Sequence, residues 1–286
     1  MRLLATSDLH LTNADNRDGL TSLAAHEDDW LIVAGDVSAR MDDLTFALEI
    51  LTRRFAQVIW VPGNHDLWTD LTTSNDARGQ GRYEHLVGIC RSFGVLTPED
   101  SYVVWPGDGL TTIVPMFLLY DYSFRPAEVP RDEAVTWARS TGVLCTDERR
   151  LDPSPWPSRA AWCEARCRLT EARLDALPAG TPTVLVNHWP LRYDLARPPR
   201  IPRFSIWCGT TQTEDWARRY HARVVVNGHL HLRTTMWRHG VRYEEVSLGY
   251  PRDWKQERGM GWYLREILPG DGLDAMRFVP PRDPFR

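Results

Sequence analysis

The stretch VIWVPGNHD, at positions 58–66, decides the reading of this chain. Its first half is a short apolar run of strand character, and it stops abruptly at a glycine followed by an amide, an imidazole and a carboxylate. A strand that ends in such a cluster puts metal-binding groups where loops gather. In open α/β sheets functional residues collect beyond the carboxyl ends of the strands.

Working outward, four further runs end the same way. Upstream, RLLATSD (2–8) leads into TSDLH (6–10), and WLIVAGD (30–36) ends at Gly35 and Asp36. Downstream, TPTVLVNHWP (181–190) carries His188, and ARVVVNGHLH (222–231) carries His229 and His231. On an extended segment Asp8 and His10, two residues apart, would point the same way and could share a ligand. A lone GD is usually a turn, and a lone NH is more often a satisfied polar pair. The ordered series D-x-H, GD, GNHD, NH, GHxH is another matter, because five of the nine histidines fall in these strand-end segments.

The intervening segments complete an α/β pattern. Leu44, Leu48, Leu51 and Phe55 fall on one helical face, with Asp42 or Asp43 at its N-terminal end. Positions 69–83 read as a polar loop, 84–93 as a helix, 160–177 as another, and the segment after His231 as antiparallel hairpins turning at HG and PGDG. LDPSPWPSR (151–159) interrupts regular structure with three prolines. The expected organisation is a single domain over 1–286 with a loop-rich insertion at about 120–160.

Composition excludes several function classes. With 43% hydrophobic and 25% charged residues and a mean hydropathy of −0.40, the chain reads as a globular protein. The net charge of −4 and the lack of an extended basic groove argue against nucleic acid, and no apolar run approaches the roughly 20 residues of a membrane span. Met1 runs almost directly into the first strand, so a cytoplasmic chain is expected. Five cysteines at irregular spacing suit reduced thiols, and Cys163 and Cys167, four apart on a helix, suit packing. Lysine occurs only at Lys255, so arginine clusters carry less weight than usual.

On the five blocks from Asp8 to His231 the chain resembles the calcineurin-like metallophosphoesterases. The resemblance implies a four-layer α/β/β/α sandwich with a dinuclear metal centre. It makes Asp8, His10 and His231 ligands of one divalent ion and Asn64, His188 and His229 ligands of the other, with Asp36 bridging. Mixed nitrogen and oxygen donors suit manganese, iron or zinc better than calcium. Two carboxylates against four positive charges leave a site that attracts phosphate, and a metal-bridging hydroxide would attack in line. His65 resembles the family's catalytic histidine, and Asp66 would orient it or a neighbouring ligand.

The pocket walls must select the ester. The stretch after His188 interleaves Arg192, Arg197, Arg200 and Arg203 with Trp189, Tyr193, Phe204 and Trp207. It reads either as a basic aromatic rim, with Arg192, Arg203, Trp189 and Trp207 binding substrate, or as a proline-stiffened surface loop. FSIWCGTTQTEDW (204–216) and GHLHLRTTMWRHGVRYEEVSLGYPRDW (228–254) are similar to an actinobacterial branch, the phosphopantetheinyl hydrolases. That resemblance implies a phosphodiesterase that removes 4′-phosphopantetheine from holo acyl carrier protein, docked by electrostatic complementarity. The alternatives are a small-molecule phosphomonoesterase or nucleotide phosphodiesterase, and, in another class, a non-catalytic interaction module on the same fold.

Overall fold

The computed structural model describes residues 1–69 and 77–270. The first half winds β1 (Leu3–Thr6), α1 (Ala14–Thr21), β2 (His26–Val33), α2 (Met41–Leu51) and β3 (Phe55–Trp60) into three parallel strands, β1–β2–β3, joined by helical crossovers. After α3 (Asn64–Leu67) and α4 (Gly79–Ser92), a second sheet begins with β4 (Val103–Val104) and β5 (Thr112–Pro115). The intervening 120–160 segment carries α5 (Ala134–Arg139) and α6 (Asp147–Arg150), and α7 (Arg159–Asp175) follows. Then come β6 (Thr183–Val186), α8 (Trp216–Arg219), β7 (Ala222–Asn227), β8 (Thr235–Arg238), β9 (Val241–Glu245) and β10 (Arg265–Leu268). The second sheet runs β4–β5–β6–β7–β9–β8, parallel from β5 to β7 and on to β9, with antiparallel strands at both edges.

The central strands β1, β3, β5, β6 and β7 and the second half of β2 are mostly apolar because both faces are covered, which is what buried parallel sheets require. Alternate residues separate the two faces. Leu3, Ala5, Ile32 and Ile59 from the first sheet meet Ile113, Val184, Val186, Val224 and Val226 from the second in one inter-sheet core. Leu4, Leu31, Val33, Val58 and Trp60 join the outer core with Leu44, Ala47, Leu48 and Leu51 of α2 and Leu86, Val87 and Cys90 of α4. Leu185 and Val225 share that outer core with Trp162, Cys163 and Cys167 of α7 and Trp216 of α8. The result is the expected α/β/β/α sandwich. All five cysteines are free, and no helix among the described residues is long and apolar enough to cross a membrane.

Three local expectations change. Phe55 does not extend the face of α2; the helix ends at Leu51 and Phe55 opens β3, while the neighbouring Arg54 donates to the Leu20 and Thr21 carbonyls at the C-terminal end of α1. Of the loop expected at 69–83, Gly79 to Tyr83 form the first turn of α4, while 70–76 lie outside the described residues. The last strand is no hairpin partner of β9. β8 and β9 do turn at His239 and Gly240, both at positive φ, but β10 crosses to the other sheet and pairs antiparallel with β1. The PGDG turn extends beyond the described residues.

Ile59 is fully buried between the sheets. Ile59→Ala should destabilise the fold by about 2–5 kcal/mol, read from the midpoint of chemical unfolding; a change within the error of the extrapolation would contradict this packing.

Candidate metal centre

Backbone hydrogen bonds stitch neighbouring strand ends together. The Asp8 N–H donates to Gly35 O (2.9 Å), His10 N–H to Asp36 O (3.1 Å), Gly228 N–H to His188 O (3.0 Å), and Gly249 N–H to Asp8 O (3.1 Å). Ser7 and Ser247 form a bridge between the two sheets at the same place. The convergence of Asp8 and His10 does not come from strand alternation, since β1 stops at Thr6. Both residues are left-handed, with φ of 54° and 42°, as are Asp36 (56°), His229 (75°) and His231 (54°). This region costs an L-residue roughly 1–2 kcal/mol, and asparagine, aspartate and histidine tolerate it best. Local strain thus gathers at one place, as it does at functional sites. Gly63 and Gly228 are required by proximity: a Cβ would stand 2.1 Å from Asp36 Oδ1 and 2.3 Å from Asp8 Oδ2 respectively.

Asp8, His10 and His231 form the first group. His231 Nε2 lies 3.1 Å from Asp8 Oδ1 and 3.1 Å from His10 Nε2. The far side of each partner is fixed: Asp8 Oδ2 accepts from Ser7 Oγ (2.6 Å), Ser247 Oγ (2.8 Å) and the His229 N–H (3.0 Å), while His231 Nδ1 faces Asp253 Oδ2 at 3.3 Å. Tyr250 stacks on His10 at 4.4 Å.

Asn64, His188 and His229 form the second. His188 Nδ1 meets the Ala34 carbonyl at 2.8 Å; a carbonyl only accepts, so Nδ1 carries the proton and Nε2 keeps its lone pair. The amide nitrogen of Asn64 donates to Asp147 Oδ1 at 3.0 Å, which turns its oxygen inward, 3.2 Å from His188 Nε2 and 3.1 Å from His229 Nδ1. His229 Nε2 is buried without a hydrogen bond of ordinary geometry, with the Trp207 backbone carbonyl beside the ring.

Asp36 stands between the groups. Its Oδ2 lies 3.5 Å from His188 Nε2 and 3.8 Å from His65 Nε2, and its Oδ1 accepts from the His65 N–H at 2.7 Å. Its carboxyl can share a cation with His10 and His65 or with Asp8 and His188.

Burial and mutual repulsion keep most imidazoles of this hollow unprotonated, with their lone pairs free to ligate. Burial holds His10 down to about 4, and burial, followed by neighbouring imidazoles, holds His65 and His229 well below the usual range. Burial together with the Asp8 and Asp66 carboxylates pushes Asp36 well up. His231 is the exception: burial opposes its charge, but Asp8 and Asp253 raise it to about 10. A lone pair of His188 facing a carbonyl oxygen of Asn64, with no proton between them, is an arrangement that a bound cation resolves. The donor set of imidazoles, carboxylates and one amide oxygen fits two divalent ions of the transition series.

The remaining residues singled out from sequence fall in different places. His65 is at the mouth, 20% exposed, stacked on Trp68 at 3.6 Å and edge-on to His10 at 4.6 Å. The carboxylate of Asp66 accepts from the N–H groups of Asp36, Val37, Ser38 and Gly63 at 2.9–3.2 Å; it holds the Asp36 loop rather than the ring of His65. The open aromatic rim is corrected at Trp189 and Trp207. Both are fully buried: Trp189 packs behind His188 and His229, and Trp207 donates to Glu148 at 2.8 Å. Their large apolar rings gain more from burial than from an open rim. Arg192 is paired with Asp194 at 2.8 Å, and Arg203 donates to Ser140 Oγ at 2.9 Å while lying over the Trp137 ring.

Sequence reasoning missed Ser7, Ser247, Asp253, Asp147 and Trp68. Ser7 stood beside a motif residue. Ser247 and Asp253 lie in the stretch 228–254, whose resemblance assigns them no role, and Asp147 and Trp68 carry no pattern that a motif could flag.

Comparison with known proteins identifies the family. A family model described as calcineurin-like phosphoesterase matches residues 1–233. The chain is 50% identical over 270 residues to the acyl-carrier-protein phosphodiesterase PptH of Mycobacterium tuberculosis, covering 93% of this chain and 83% of that one. The crystal structure of phosphopantetheinyl hydrolase (PptH) from Mycobacterium tuberculosis superposes with a TM-score of 0.89 at 47% identity, covering 98% of both chains. With its strand-end carboxylates and imidazoles gathered into one centre between two sheets, this chain belongs to the calcineurin-like phosphoesterase family.

Proposed function

We propose that this enzyme hydrolyses the phosphodiester between 4′-phosphopantetheine and the serine of a holo acyl carrier protein. The reading is carried by its 50% identity, along 93% of the chain, to an enzyme named for acting on that substrate class. In this reading Asp8, His10 and His231 would hold one divalent ion, Asn64, His188 and His229 would hold the other, and Asp36 would serve both. Manganese or iron suits these donors, with zinc as the third choice. Two such ions supply an acidified water and positive charge for the phosphoryl oxygens.

The chain's own residues arrange the rest. Only Asp8 and Asp36 bring negative charge to the ligand set, so the loaded centre retains positive charge for an anionic diester. Asp66 holds the backbone on either side of Asp36 through four N–H bonds, fixing where its carboxylate points. His65, buried enough to be neutral yet open at the mouth, donates an N–H toward the serine oxygen as it leaves. The bond from phosphorus to the serine oxygen breaks, a bond from phosphorus to the water oxygen forms, and the proton lost by water is balanced by the one gained by serine. The products are apo carrier protein and 4′-phosphopantetheine.

Incubating holo carrier protein with the enzyme and manganese should convert it to the apo mass in a mass spectrum. Asp36→Asn should slow that conversion by more than about 100-fold, beyond the roughly 10–100-fold typical of losing an outer partner of a metal ligand. An unchanged holo mass, with a generic diester still hydrolysed, would rule out the carrier protein as substrate and leave the phosphoesterase chemistry in place.

Metal also bears on stability. Adding manganese to chelated enzyme should stabilise it by about 2.7 kcal/mol for each ion present at a hundredfold excess over its Kd, seen as a higher Tm. An equal shift in Asp36→Asn would place the ion elsewhere.

A further inference from the structure

We propose that Asp147, the first residue of α6, is a positioning residue that sets which atom of the Asn64 amide faces the metal centre. The inference rests on the metal-centre reading above. An amide is nearly symmetric in shape, with an acceptor oxygen and a donor NH2 in almost equivalent positions. Only the oxygen can ligate a cation, so a flipped Asn64 would aim two N–H donors at the place where His188 Nε2, 3.2 Å away, directs its lone pair.

The geometry prevents that flip from outside the ligand set. Asp147 is fully buried, and its Oδ1 accepts from Asn64 Nδ2 at 3.0 Å and from Trp68 Nε1 at 2.7 Å. A carboxylate cannot donate, so the face of Asn64 turned to Asp147 must be the nitrogen. The indole N–H of Trp68 pins the same oxygen, so it cannot move aside for a turned amide. That indole is also the ring on which His65 stacks at 3.6 Å. One buried oxygen atom thereby orients a proposed metal ligand and the platform of His65, the proposed hydrogen-bond donor to the leaving oxygen.

α6 is braced to hold this position. Arg159 at the start of α7 donates to the Asp147 carbonyl at 2.7 Å and to Glu148 Oε2 at 3.1 Å. Glu148 in turn accepts from Trp207 Nε1 and the Tyr122 hydroxyl at 2.8 and 2.9 Å. The 120–160 segment therefore reaches the centre through a defined contact and is more than a covering for the strand ends.

The test measures manganese bound per full-length chain by equilibrium dialysis with elemental mass spectrometry, with Tm recorded to confirm folding. Asp147→Leu removes the acceptor and should weaken the second ion by about 10–100-fold, whereas Asp147→Asn, which still offers an oxygen to both donors, should stay within about threefold of wild type. If Asp147→Leu does not fold, Asp147→Ala takes its place in the same comparison. A folded Leu or Ala variant that holds two ions with wild-type affinity overturns the positioning role, and so does an Asn variant as impaired as the apolar one. Wild-type protein that takes up fewer than two ions overturns the metal-centre reading itself, which separates the two failures.

Discussion

Acceptors facing acceptors is the constraint on which the rest of this molecule depends. Imidazole lone pairs, two carboxylates and an amide oxygen converge in a buried hollow, and apart from the His231–Asp8 pair they do not satisfy one another. Left alone, such a cluster must take up protons at unfavourable places, which is why Asp36 is pushed up and His231 reaches about 10. A cation relieves that conflict. Everything nearby is arranged so that the groups cannot relax by turning away: serines hold Asp8, a backbone carbonyl holds His188, and Asp253 holds His231.

The scaffold resists this conflict through rigidity in the backbone. Five of the converging residues adopt left-handed conformations, and two glycines allow carboxylates to approach the chain more closely than any Cβ would permit. These conformations persist because two stacked sheets with buried faces fix the strand ends on either side. The inter-sheet core of alanine, valine, isoleucine and leucine is therefore part of the site's chemistry, at one remove.

Much of the centre was legible in the sequence, because the identity of a ligating side chain is a local fact and strand-ending motifs preserve it. The blocks around Asp8, Asp36, Asn64, His188 and His229 announced themselves, and so did most strands. What remained hidden depends on partners brought from far along the chain. Asp147 lies 83 positions from Asn64 in a segment with no motif, and Asp253 reaches His231 from beyond the last block. Arg192 seemed available for an acidic partner until folding supplied Asp194 and Glu214. Trp189 and Trp207 seemed surface aromatics because their neighbours are polar and proline-rich, yet the loop folds them inward. Asp8 and His10 converge through αL backbone turns beyond the end of β1, which their spacing of two in the sequence does not reveal.

The pairing of β10 with β1 ties residue 3 to residue 268, and this separation governs when the centre can exist during synthesis. The first ligands leave the ribosome early, but the strand that flanks them on the sheet edge emerges some 260 residues later. Contacts so distant in sequence form late and slowly. A nascent chain thus exposes histidines and carboxylates that would bind any available ion, in no particular geometry, before the sandwich closes. Only the finished fold can select an ion by geometry, so metal availability bears on the outcome alongside the intrinsic order of affinities.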